Sequence, residues 1–368
     1  MPDPRILKLA KALVNYAIPV QAGDWFQIRT TELAAPLVRE VYREALLASA
    51  LHVETRIGVD GLGEIFFTHA SDEQLTHISE AERLAETKVN AALSILAPHN
   101  LKALSGVDPK RQALATRARA ELSKIFMERS ASGDLRWCVT QYPTHASAQE
   151  AGMSLAAYEE FVYGAMLLQA DDPVRAWQAQ AQEQQRIADF LAETRELHIV
   201  GKDTDLRMSI AGRQWVNGDG RKNFPDGEVF SAPVEDSVQG IVSYTYPAIF
   251  GGREVDGIRL TFEQGRVVNA HARTGEEFLN EMLDMDAGAR VLGEVGIGTN
   301  NGIQRFTKNM LFDEKIGGTV HLALGAGYPE TGSSNESSLH WDMLVDLREE
   351  GEIFADGRSV MKRGKWSV

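Results

Sequence analysis

The sequence predicts an α/β domain built on a mostly parallel sheet, followed by a β-rich (α+β) domain. Three observations carry that expectation. In the first half, short apolar runs alternate with segments whose apolar residues recur at helical spacing, the pattern of βαβ units. From Ser154 to Thr194 the chain is rich in Ala, Gln, Glu and Leu. After Leu197 it breaks into short β-branched and aromatic runs separated by Gly, Asn and Asp, as strands and turns do.

Taken in order, Trp25, Phe26 and Ile28 form an extended run, and Leu37, Val38, Val41, Tyr42 and Ala45 follow at helical spacing. Leu51, Val53, Thr55 and Ile57 alternate with period two, which puts them on one side of a strand. Leu93 to Leu96, closed by Pro98, and Leu135 to Val139 are further strands, with one long helix expected over Pro109 to Arg129 between them. Pro173, just after Asp171 and Asp172, stands where the second helix of a helical connector begins, because proline is tolerated in a first helical turn. Later strands are expected at Leu197 to Val200, Val238 to Tyr244, Gly257 to Phe262 and Gly317 to Leu324. The change of character sets the domains at 1–194 and 195–368.

At 368 residues the chain exceeds what one hydrophobic core usually serves, and its 43% hydrophobic content is that of a globular protein. A net charge of −14 without any basic cluster argues against nucleic acid or an anionic membrane as partner. Cys138 is the only cysteine, so no intrachain disulfide can form and a thiolate zinc site would be incomplete. The first twenty residues lack the uninterrupted apolar core of a signal peptide. No window approaches the roughly 18 apolar residues of a membrane span. A soluble, cytoplasmic protein is expected.

HExxH, CxxC, the phosphate-binding GxxxxGK[ST] and the nucleophile elbow GxSxG are all absent. Gly296, Gly298 and Gly302 lie in GIGTNNG, whose spacing is wrong for a phosphate loop and reads as a turn. His340 and Asp342 stand two apart, so on an extended segment they share a side. Considered alone, such a pair is more often a surface contact. His321 lies inside the apolar run from Gly318 to Leu324, where an imidazole needs a partner, either a metal ion or the backbone. Glu228 and Glu294 are single acids among small or apolar neighbours, whereas Glu314 beside Lys315 reads equally as a surface ion pair. Together these residues supply carboxylates and two imidazoles without a thiolate, a set suited to Zn, Co, Mn or Mg. Five or six donors are too many for one zinc, and a pair of ions would use them.

At NFPDGEVFSAP, DAGARVLGEVGIGTN, NMLFDEKIGGTVHLALGAGYPET and NESSLHWDM the chain resembles the M29 metalloaminopeptidases, a family that includes aminopeptidase T, aminopeptidase S and thermophilic aminopeptidase II. The resemblance covers most of the chain and is densest from Asn223 onward. It implies that Glu228, Glu294, His321, His340 and Asp342 hold two divalent ions per subunit, with Glu294 as the bridge and Glu314 as a further ligand. It also implies that Tyr328 is the active-site tyrosine and that Glu294 or Glu314 moves a proton. The implied reaction is hydrolysis of the first bond of a peptide with a free N-terminus, in the second domain of a homodimer. Compared with better-known members, the loop from Tyr328 to His340 is shorter. Two other readings stand beside it: a mononuclear non-haem Fe(II) ring-cleaving dioxygenase using His321, His340 and Asp342, and a metal-binding protein without turnover.

Overall fold

The computed structural model describes residues 3–367, and the chain divides into two compact units. The first runs to Ala176 and takes in Gly220–Pro225; the second holds Trp177–Asp219 and resumes at Asp226. The compositional shift near residue 195 coincides with the first strand of the second unit, Glu196–Gly201, while the unit itself includes most of the preceding helix, Pro173–Ala192.

In the first unit the expected strands appear as Trp25–Thr31, His52–Gly58, Ala91–Leu96 and Arg136–Gln141. They form a sheet in the order His52–Gly58, Trp25–Thr31, Ala91–Leu96, Arg136–Gln141 and Asn223–Phe224, and every pairing is parallel. Phe26 and Ile28, in an interior strand of this sheet, are fully buried, as is usual for parallel strands. The single helix expected over Pro109 to Arg129 is two, Pro109–Ala118 and Ala120–Ser132. Arg119 between them leaves helical geometry, at φ −89 and ψ 5, and its guanidinium turns back to the carbonyls of Leu75 and Ala115. The connector is helical as expected, with Leu155–Ala165 followed by a helix opened by Pro173. Among the described residues no helix is long and apolar enough to cross a membrane.

The second unit holds two larger antiparallel sheets. One has eight strands, in the order Arg266–His271, Arg259–Glu263, Gln239–Ser243, Thr204–Ser209, Glu196–Gly201, Glu352–Ala355, Arg358–Lys362 and Lys365–Trp366. The other has five, in the order His340–Asp346, Thr319–Gly325, Leu292–Gly298, Glu228–Ser231 and Val216–Gly218. One hydrophobic cluster, including Ile199, Leu260, Val295, Leu322 and Met343, takes residues from both. Gly296 and Gly298 therefore lie in a strand, and only the residues after them make the turn expected of GIGTNNG.

Candidate metal centre

The five-stranded sheet has one face in the core and one that carries the candidate residues. In Leu292–Gly298, Val295 and Ile297 belong to the core, so Glu294, Gly296 and Gly298 take the other side. Leu292 is also a core residue, and the bulge between Leu292 and Glu294 reconciles the two. In Thr319–Gly325, Val320, Leu322 and Leu324 face the core and His321, Ala323 and Gly325 face away. The register sets His321 between Gly296 and Leu344, Ala323 between Glu294 and Asp342, Gly325 opposite His340, and Gly298 opposite Glu228. Small residues thus leave room for acids and imidazoles. A Cβ added to Gly296 would lie 2.0 Å from His321 Cε1 and 2.1 Å from its Nε2, so the imidazole lies against bare backbone.

Both histidines are oriented alike. His321 Nδ1 is 3.2 Å from the Glu314 carbonyl oxygen, and His340 Nδ1 is 2.8 Å from that of Ala326. A carbonyl only accepts, so each Nδ1 carries the hydrogen and each Nε2 is turned to the acids. His321 Nε2 lies 3.2 Å from Glu228 Oε2 and 3.2 Å from Glu294 Oε1. His340 Nε2 lies 3.5 Å from Glu294 Oε2 and 3.5 Å from Asp342 Oδ2. Metal-binding imidazoles are commonly fixed through the other nitrogen in this way.

The site is short of positive charge. Burial, followed by the charge of Glu314, raises Glu228 despite the nearby Lys315 and His321. Burial and the charges of Glu294 and Glu314 raise Asp342. Burial alone would push His321 down, but its hydrogen bond to Glu294 and the charge of Glu228 outweigh this and hold it at about 10. Glu228 Oε2 and Asp342 Oδ1 are buried without a hydrogen-bond partner, and each such oxygen is expensive unless a cation faces it. The alternative of His340 and Asp342 as a surface pair does not hold, since the Asp342 side chain is only 15% exposed.

Lys315 and Glu314 are not a surface ion pair either. The Lys315 side chain is 0% exposed; its ammonium contacts Glu314 Oε1 and lies 3.3 Å from Glu228 Oε1. Burial lowers its pKa, but the charges of Glu228, Glu314 and Asp226 outweigh this and raise it. The local signal for this is the placing of Glu314 and Lys315 between the apolar Phe312 and Ile316, which the structure buries fully. Gly296 has no such signal, because the glycine-rich stretch Gly296-Ile297-Gly298-Thr299-Asn300-Asn301 reads locally as a turn.

Among the described residues three groups could each hold an ion, with ligand atoms within 4.8 Å of one another: Glu228, Glu294 and His321; Glu294, His340 and Asp342; and Glu314, His321 and Asp342. Every candidate ligand from the sequence falls in one of them. No group contains both histidines, unlike the two-histidine, one-carboxylate set of the Fe(II) reading. The donors are carboxylate and imidazole throughout, which fits divalent ions. Tyr328 follows Gly325, which has φ +98, and is exposed, with its ring 5.2 Å from that of His340 and 5.7 Å from that of Phe230. Partial burial and the charges of Glu294 and Asp342 raise its pKa, so the hydroxyl keeps its proton at neutral pH.

The chain matches the family described as Thermophilic metalloprotease (M29) over residues 3–366. It is 31% identical to aminopeptidase 2 of Geobacillus stearothermophilus, with 98% of this chain and 97% of that protein covered. It is 32% identical to aminopeptidase T of Thermus thermophilus over 73% of this chain and 74% of that protein. The solved structure of wild-type AmpT from Thermus thermophilus superimposes with a TM-score of 0.86 at 27% identity, covering 99% of both chains.

Proposed function

The chain belongs to the thermophilic metalloprotease family M29 and is a metal-dependent aminopeptidase, and from that premise we propose that it removes N-terminal residues from peptides with two divalent ions on one sheet face. One observation carries this reading. The groups Glu228, Glu294, His321 and Glu294, His340, Asp342 share only Glu294, whose two oxygens face different histidines. Glu228 and His321 would hold one ion and His340 and Asp342 the other, with Glu294 available to both. The ions we propose are Zn, Co, Mn or Mg. When bound, such ions lower the pKa of a water towards neutrality and polarise a carbonyl.

The chain's own residues do the rest. With both Glu294 oxygens turned to the histidines, Glu294 would serve to hold the ions, and Glu314 would be the better carrier of a proton from the attacking water to the leaving amine. The Tyr328 hydroxyl, protonated at neutral pH, is assigned as the donor to the oxyanion that forms from the scissile carbonyl. On the resemblance and the single cysteine we further propose a homodimer working in the cytoplasm; sedimentation of the purified protein tests the assembly.

Metal content, measured together with hydrolysis of an amino-acid p-nitroanilide, tests the central reading. About two ions per chain with turnover is the expected result; a single fully occupied ion would sink the bridge. For Tyr328→Phe, kcat is expected to fall about 100-fold to 1,000-fold while KM and metal content stay close to the parent's, because the lost hydrogen bond acts mainly in the transition state. Steady-state kinetics check this, and an unchanged kcat would leave Tyr328 as a packing residue.

A further inference from the structure

The two-ion reading makes no use of Lys315, yet this lysine is among the most buried side chains of the second unit. Its backbone is held on both sides: its N–H donates to the Phe312 carbonyl, and its own carbonyl accepts from the Asn300 N–H. The ammonium group divides the Glu228 carboxylate. Oε1 lies 3.3 Å from Nζ, whereas Oε2 is turned towards His321 and has no hydrogen-bond partner. On its other side the ammonium contacts Glu314 Oε1. An ammonium this far from water persists only with such partners, and buried carboxylates this close together need a cation in turn.

Resting on the two-ion reading, we propose that Lys315 is a built-in counter-ion of the metal centre. It holds Glu228 by one oxygen so that the other is offered to an ion. It also supplies fixed positive charge while no ion is bound, so the centre is formed before metal arrives. Because the same charge repels an incoming cation, Lys315 lowers metal affinity in exchange for a stable empty site; by linkage, these are two readings of one effect.

Lys315→Met keeps the length and most of the volume of the side chain and removes its charge. After treatment with a chelator, its melting temperature is expected to fall by roughly 5 °C or more relative to the parent. The zinc-loaded form should fall much less, and competition against a chromophoric chelator should show zinc held about tenfold or more tighter. Lys315→Met with Glu314→Gln removes one charge of each sign, and its empty form should regain most of the lost melting temperature. Equal losses in the empty and loaded forms with unchanged or weaker zinc affinity would overturn the proposal and leave Lys315 a packing residue. If the single variant folds in neither state, the double variant decides: recovery of folding supports the counter-ion, and continued unfolding overturns it. A parent chain that takes up no zinc would sink the metal reading itself, whereas a parent that binds zinc like its variants sinks only the role of Lys315.

Discussion

Gly296→Ala is expected to displace His321 and, with it, metal binding and turnover. The backbone at Gly296 lies outside the left-handed region, so alanine brings no conformational penalty of its own. The effect comes from the ring opposite, since the new Cβ would stand 2.0 Å from His321 Cε1. The imidazole has little room to yield. It is 1% exposed, Val320 and Leu322 beside it are wholly buried, and its Nδ1 is held at the Glu314 carbonyl. Either the ring swings away from Glu228 and Glu294 or the two strands part. Overpacking of this kind costs about 1–3 kcal/mol, and loss of orientation in a metal-binding imidazole lowers affinity about 10-fold to 100-fold. Metal titration and thermal melting of Gly296→Ala measure both. The double variant with His321→Ala isolates the cause: once the ring is gone, alanine at 296 should add almost nothing, because the two changes act through one contact. If Gly296→Ala by itself retains both ions and normal rates, His321 is not a ligand in this position.

That dependence on one glycine shows where reading the sequence succeeds and where it stops. His321 was legible because an imidazole inside Val320-His321-Leu322 breaks an apolar run. His340 and Asp342 were legible because period two puts them on one side of a strand. Glu228 and Glu294 stood out as acids among small and apolar neighbours. Each is a local signal, within a few residues. The contact between Gly296 and His321 depends on strand register, and that between Lys315 and Glu228 on a turn packing against a distant strand; neither has a local signature. The fold divides in the same way. Four strands of the parallel sheet announced themselves as apolar or period-two runs, whereas the fifth, Asn223–Phe224, is too short to do so. Arg266–His271 and Arg358–Lys362, where charged or polar residues at the ends enclose only the short apolar pairs Val267-Val268 and Val360-Met361, did not announce themselves either. The eight-stranded order, which sets Glu196–Gly201 beside Glu352–Ala355, joins the two ends of the unit and is invisible to periodicity.

Glu294→Gln is expected to have the largest effect on activity. The parent carboxylate is 5% exposed, with Oε1 turned to His321 and Oε2 to His340, and it is the only residue common to the first two donor groups. Glutamine keeps the shape of the side chain but exchanges a negative oxygen for an NH₂ group, which donates and cannot bind a cation. One of the two groups then loses a ligand outright, and the other keeps only a neutral carbonyl. Retained metal should fall to about one ion or none per chain, with hydrolysis of the p-nitroanilide near background. The fold should persist, because the strand's other face still packs Val295 and Ile297 into the core and the change adds no volume. Stability of the metal-free form should even hold or rise, since one of the crowded acids near Glu228 and Asp342 is now neutral. Metal stoichiometry, rate and melting temperature on the same preparation separate these effects. A variant that keeps two ions and near-parental turnover would overturn the bridge and move that role to Glu228 or Asp342. One that loses both ions together with its cooperative melt would mean that the metal builds the sheet instead of occupying it.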